Sequence, residues 1–129
     1  MCLAIVLSIV PASVIADCSQ LSARNLPLRL GVDEAPVCQS YRNLDGLAEA
    51  CYWTFKYRTT GADFFAISLT QAIENCGGIM RHADTDVNHP DSFEQAIFDL
   101  DNRIFSVSVK DKGALSQTLV FLSVSETSK

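Results

Sequence analysis

The sequence lacks an apolar run long enough to span a membrane. Its apolar stretch from Leu3 to Val10 is interrupted by Pro11 and falls well below the roughly 18 residues that indicate a transmembrane helix. Basic residues are also sparse, with 10 Lys and Arg against 15 Asp and Glu and a net charge of −5. Because a phosphate-backbone binder needs clustered cations, this balance argues against nucleic acid as a partner.

The common enzyme signatures are absent as well. The chain has no G-x-S-x-G elbow, no Gly-rich phosphate loop and no H-E-x-x-H helix, and so gives no positive sign of catalysis. It also has no C-x-x-C pair, the spacing from which many zinc sites are built. We therefore expect a non-catalytic protein without a cofactor. No repeat or linker divides the chain, which predicts one domain.

The first sixteen residues have the composition of a signal peptide. They carry no charged side chain and end in Val14-Ile15-Ala16, a pattern that precedes cleavage by signal peptidase. Their one departure from the usual pattern is that no Lys or Arg precedes the apolar run. We predict a signal peptide at residues 1–16 and a single α+β domain at residues 17–129. The mature chain would then be periplasmic or secreted, without membrane insertion.

The cysteines support export independently. Removal of the signal peptide would leave four of them, an even number that in a small exported chain predicts two disulfides. They are Cys18, Cys38, Cys51 and Cys76.

One stretch bears on how these cysteines pair. The sequence Asn43-Leu44-Asp45-Gly46 has good turn chemistry and separates two runs with strand character. If Asn43 faces Gly46 in a hairpin, Cys38 faces Cys51 at a distance that suits a disulfide. We favour this pairing, which leaves Cys18 with Cys76. The alternative joins Cys51 to Cys76, because both lie on the inner faces of their elements, and Cys18 to Cys38.

The rest of the chain predicts an antiparallel sheet with one main helix. Apolar residues alternate from Cys51 to Tyr57, and then repeat at helical spacing after a cap at Thr60, until Gly77-Gly78 ends the helix. Residues 92–110 predict a second hairpin with Leu100 opposite Arg103. We expect an α+β fold with about five strands in the order ββαβββ and one helix on one face. Residues 25–30, NLPLRL, could add an edge strand or cover the second face.

The stretch from His82 to Glu94 is dense in acids and contains both histidines. Asp84, Asp86 and Asn88 match the first three oxygen positions of a calcium loop. The match then fails, because His89 replaces the required glycine. We prefer an ordered, solvated loop here.

Two alternatives for this stretch stay open. One is a cation-binding module that uses Asp84, Asp86, Asn88 and His89. The other is a small envelope enzyme centred on His82, His89 and the nearby acids, which could equally hold zinc.

The last strand, residues 117–125, is apolar on both faces. Val120, Leu122 and Val124 share one face, and Leu119 and Phe121 the other. Since a single helix covers one face, Leu119 and Phe121 are candidate interaction residues for another envelope protein or a homodimer.

The basic residues in and after the first hairpin give a weaker indication of a binding surface. Arg42, Lys56 and Arg58 could form an anion-contacting stripe, although a solvated sheet face is the simpler interpretation. The leading functional prediction is therefore a small exported binding or interaction module.

Overall fold

The computed structural model describes residue 18 and residues 21–29, 35–44, 46–86 and 91–127. The predicted signal peptide at residues 1–16 lies outside them. Two α-helices are present in this part of the chain, α1 (Leu26–Arg29) and α2 (Thr60–Asn75), together with a short 3-10 helix (Gly113–Leu115). The strands are β1 (Val37–Asn43), β2 (Gly46–Lys56), β3 (Ile79–Asp86), β4 (Phe93–Leu100), β5 (Arg103–Lys112) and β6 (Gln117–Glu126).

These strands form one antiparallel sheet in the spatial order β1-β2-β6-β5-β4-β3. The long helix α2 crosses one face, and two disulfides are formed. The predicted α+β class is therefore confirmed. The sheet of the described residues has six strands, one more than the sequence predicted.

The additional strand is β3, in the stretch that we interpreted as a loop. The prediction of a loop was wrong for its first part, since His82–Asp86 belongs to β3, whereas the strand predicted to begin near Phe93 is present as β4. All eight residues of β3 are exposed. Because none of them needs to be apolar, the strand shows no regular alternation of apolar and polar residues. A strand without a buried face gives no period-two signal, which is why the pattern failed here.

Both hairpins have the predicted registers. In the first, Asn43 faces Gly46 and Cys38 faces Cys51. In the second, Leu100 faces Arg103 across the turn. Asp101 at that turn adopts a φ of 58°, a left-handed conformation that Asp tolerates better than most residues. Local turn chemistry and the alternation of side chains were sufficient to set both registers.

The disulfides follow the favoured pairing. Cys38 is bonded to Cys51 across the first hairpin, with a Cα–Cα distance of 4.1 Å. Cys18 is bonded to Cys76 at the end of α2. The alternative pairing of Cys51 with Cys76 is therefore wrong, because the hairpin register puts Cys38 directly beside Cys51.

Helix α2 begins one residue earlier than the sequence suggested. Thr59, not Thr60, is the N-cap, and its side chain accepts a hydrogen bond from the backbone N–H of Ala62. At the other end, Gly77 has a φ of 100°. The N–H of Gly78 donates to the carbonyl oxygen of Ile73, and a Cβ on Gly78 would lie 2.9 Å from that same oxygen. Gly77 therefore provides the left-handed conformation that ends the helix, and Gly78 allows the chain to pass close to the last helical turn.

The core lies between α2 and the sheet. Trp53 of β2 packs edge-on against Phe65 of α2, with the ring centroids 4.9 Å apart. Phe98 and Phe105 face each other across the second hairpin and are 0% exposed. Burial of such large side chains supplies most of the driving force for folding.

Residues 21–29 lie on the same face of the sheet as α2. Leu26 is 1% exposed and belongs to the same cluster as the buried residues of α2, and Arg24 forms a salt bridge with Glu49 of β2. The prediction that residues 25–30 form an edge strand or cover the second face was wrong for the described part, residues 25–29. The Cys18–Cys76 bond ties this segment to the end of α2, which holds it on the helix side.

Candidate binding surface

Leu119 and Phe121 lie on the face of the sheet that α2 does not cover. Along β6 the side chains alternate strictly, with Thr118, Val120 and Leu122 at most 1% exposed. Val120 and Leu122 pack in the core with α2, so Leu119 and Phe121 point the other way and are half-buried. Neither described α-helix lies on their side of the sheet.

We call this side of the sheet the open face. It is formed by the residues that alternate with the core residues along each strand, and its half-buried residues include large apolar side chains as well as polar ones. Such surfaces on a small domain commonly mark interaction sites. The residues used below are Tyr52 and Lys56 of β2, Leu119 and Phe121 of β6, Lys110 and Lys112 of β5, and Phe93 and Ile97 of β4.

A row of aromatic rings crosses the open face. Tyr52 faces Phe121 on the neighbouring strand, with the ring centroids 5.4 Å apart. The ammonium of Lys110 lies 5.7 Å from the centroid of Phe121 and 5.5 Å from that of Phe93. A cation at this distance from a ring face is attracted by its quadrupole, so two rings hold the Lys110 side chain in place.

The lysines gather at one end of this face. Lys56 and Lys112 both face Gln117 of β6, and Lys110 lies two residues from Lys112 on the same side of β5. These are all the lysines in the described part of the chain. Arg42, which we grouped with Lys56 from the sequence, alternates with Cys38 on the helix side. The predicted stripe of Arg42, Lys56 and Arg58 is therefore not continuous.

The middle of the open face is polar and internally paired. The amide of Gln95 donates to the hydroxyl of Ser106 at 3.1 Å and to that of Ser108 at 3.4 Å. These bonds satisfy groups that would be costly to leave unpaired under a partner.

The acids that suggested a cation site are divided between the two faces. Asp84 faces Gln95 and Asp86 faces Phe93, so both carboxylates lie on the open side of edge strand β3. Glu94 faces Thr85 and Val109, and lies on the helix side. Among residues 21–29, 35–44, 46–86 and 91–127, no group of three or more His, Cys, Asp and Glu side chains could hold a metal ion.

The remaining predicted ligands, Asn88 and His89, lie outside the described residues. The metal hypothesis for Asp84, Asp86, Asn88 and His89 thus stays a prediction, although an extended strand now replaces the looped backbone on which it was based. His82, the other histidine, is exposed on β3 and faces Ile97.

A groove of about 360 Å³ opens between α2 and strands β3 to β5, on the helix side. Its apolar surface comes from Ala66 and Ile67 of α2 and Ala96 and Val107 of the sheet, and no Lys, Arg or His lines it. Its acidic residues on the helix side are Glu74 and Glu94, and Asp84, whose carboxylate lies on the open side, also borders it. Sequence reasoning missed this groove, because it depends on where α2 crosses the sheet.

The clustering of lysines was missed for the same reason. Lys56 and Lys112 are far apart in the chain and meet only through β6. A signal existed in principle, since the alternation along each strand assigns both lysines to the face opposite the core. It could be used only with the strand order.

No helix in the described ranges is long and apolar enough to cross a membrane. In comparisons with known proteins, no family model matches this sequence, and no curated protein resembles it significantly.

Proposed function

We propose that this chain is a small exported, non-catalytic binding protein of the cell envelope, which holds a protein partner on its open face. The observation that carries the proposal is that Phe121, Leu119, Tyr52 and Phe93 share a sheet face with no described element over it. Interface cores are enriched in aromatic residues, and here the rings are already ordered by neighbouring strands.

Export is part of this proposal. Two disulfides in a small domain suit an oxidising compartment, because cytosolic thiols are kept reduced. The composition of residues 1–16 favours the same route. Mass spectrometry of the protein purified from its native host checks it: we expect a chain that begins at Asp17 and has no free thiol. A retained Met1, or cysteines that alkylate without reductant, would contradict export.

The binding surface can be tested with two phenylalanines. Phe121→Ala removes a ring from the open face, whereas Phe64→Ala removes one from the outer surface of α2, where Phe64 is 72% exposed. Each variant is used as bait beside the unchanged protein in native envelope extract, and enriched proteins are then purified and titrated individually.

We expect a partner that binds the unchanged protein and the Phe64→Ala variant but binds the Phe121→Ala variant at least about ten-fold more weakly, as for an interface hot spot. A partner that is lost with Phe64→Ala and kept with Phe121→Ala would place the binding site on α2 instead. The absence of any partner sensitive to Phe121→Ala would also contradict the proposal.

A further inference from the structure

We infer that the partner segment held on the open face is acidic, and that it combines carboxylates with apolar side chains. This inference rests on the proposed function, and it adds the chemistry of the partner. It starts from a contrast in charge. The chain carries a net charge of −5, yet the three lysines of its described part all lie at one end of the open face.

The three lysines are spaced to suit an extended chain. Lys56 and Lys112 flank Gln117 on adjacent strands, so their backbones are separated by two strand spacings, roughly 10 Å. Lys110 and Lys112 are two residues apart on β5, which corresponds to about 7 Å. Alternate residues of an extended peptide have this same spacing. Carboxylates at every second position can therefore meet Lys110 and Lys112 together.

The side chain of Lys110 is held in a position that suits the binding of a carboxylate. Its ammonium rests on the rings of Phe93 and Phe121, and the ion pairs formed by described residues join Arg24 to Glu49 and Arg81 to Asp99 instead. Among the residues that the structure describes, Lys110 thus has aromatic neighbours but no carboxylate partner. Holding the side chain between rings lowers the entropy cost of binding, and covering the rings would strengthen the charge interaction.

The apolar part of the segment has a matching surface beside the lysines. Leu119 faces Lys110 directly, and Tyr52 continues the row beyond Phe121. A bound segment that lies over β5, β6 and β2 would cover these side chains. Its apolar residues would gain burial while its acids remain at the lysine end.

The acids of the open face limit where such a segment can lie. Asp84 and Asp86 are on β3, at the opposite edge from β2, while Asp99 is paired with Arg81. Near the lysine end, Asp91 accepts a hydrogen bond from the N–H of Gly113. Like charges repel, so the segment lies toward β6 and β2 and away from β3.

The test uses a synthetic probe of defined chemistry. An acetylated heptapeptide, Glu-Ser-Glu-Ser-Phe-Ser-Leu amide, places its acids and its apolar residues on one side of an extended chain; it is titrated into the oxidised, isotope-labelled protein, and backbone amide shifts are followed by NMR. The matched control replaces each Glu by Gln. We expect shifts concentrated in β2, β5 and β6, with binding of the Gln peptide about three- to ten-fold weaker at low salt, as for a few partly exposed charge pairs.

Two single substitutions sharpen the assignment. Lys112→Gln should weaken binding of the Glu peptide by about two- to five-fold, whereas Arg42→Gln, which removes the same charge on the helix side, should leave it unchanged. Equal weakening by both variants would mean that net charge alone attracts the peptide, and would overturn the inference.

The outcomes separate this inference from the proposed function. Equal binding of the Glu and Gln peptides to the open face would overturn the acidic partner and leave the surface in place. Binding to vesicles with 30% phosphatidylglycerol, abolished by Lys112→Gln, without binding of the peptide would indicate a membrane surface instead. Shifts confined to a contact between two copies of the chain would replace the acidic partner with a homodimer. Loss of a partner through Phe121→Ala tests the proposed function by itself.

Discussion

The two faces of the sheet are built from the same strands and bury their side chains very differently. On the helix side, Phe98, Phe105 and Leu122 are 0% exposed and pack in one cluster with α2. On the open face, Phe121 and Leu119 are half-buried, although they alternate with Leu122 along a single strand. The large apolar side chains compared here are of the same types, so their difference in burial arises from what lies over them.

The comparison indicates that side chains on one face contribute mainly to stability, while those on the other are available for binding. Side chains under α2 contribute to folding through burial and close packing. Side chains on the open face leave apolar area exposed in the free protein, and that area becomes useful when a partner covers it. Lysines lie on the open face, while the groove beside α2 is lined by Glu74 and Glu94 and by no cation.

A large effect should come from a matched pair of phenylalanines. Phe105→Ala empties a fully buried site on the helix side and should lower the free energy of unfolding by about 3 to 5 kcal/mol. Phe121→Ala on the open face should cost only about 1 kcal/mol, because the ring is only partly buried. Urea denaturation of both variants measures the difference. Equal losses would mean that the open face is covered in the free protein.

The two disulfides should stabilise the protein by different amounts, because they close loops of different length. Both involve the helix side, where Cys51 and Cys76 belong to or pack against the core. The bonds span 58 and 13 residues. Loop-closure entropy then assigns about 4 kcal/mol to Cys18–Cys76 and about 3 kcal/mol to Cys38–Cys51. Paired Cys→Ala variants, unfolded in denaturant, check the order. A larger loss for the hairpin bond would show that packing or strain outweighs chain entropy.

A charged substitution compares the faces most directly. Leu119→Glu places a carboxylate on the open face beside Lys110 and should change the free energy of unfolding by less than about 1.5 kcal/mol. Leu122→Glu buries the same charge under α2 and should prevent stable folding, because an unpaired buried charge costs several kcal/mol. Thermal melts of both proteins provide the measurement. Severe destabilisation by Leu119→Glu would contradict the description of this face as open.

The smallest effect is expected on edge strand β3. Replacing Asp84 and Asp86 together by Asn should change the free energy of unfolding by less than about 1 kcal/mol, since both side chains are exposed. Calcium and zinc are titrated in parallel while the melting temperature is followed. A metal-dependent rise in the unchanged protein that disappears in the variant would support the cation-binding alternative.

The amino-acid sequence by itself determined the features that depend on near neighbours. The turn at Asn43–Gly46 and the alternation on either side of it placed Cys38 opposite Cys51. The turn at Asp101 did the same for Phe98 and Phe105. Leu119 and Phe121 could be assigned to the face opposite Val120 and Leu122 because side chains alternate along β6. In each case the signal was periodicity or turn chemistry within a short segment.

Tertiary structure decided the rest. Strand β3 has no buried face and gains its conformation from pairing with β4, so its own sequence carries no strand pattern. Cys18 and Cys76 join residues 21–29 to the side of α2, which leaves the opposite face open. Lys56 and Lys112 become neighbours only because β6 lies between β2 and β5. Periodicity assigns a side chain to a face, but only the packing of distant segments determines which face is covered and which residues meet on it.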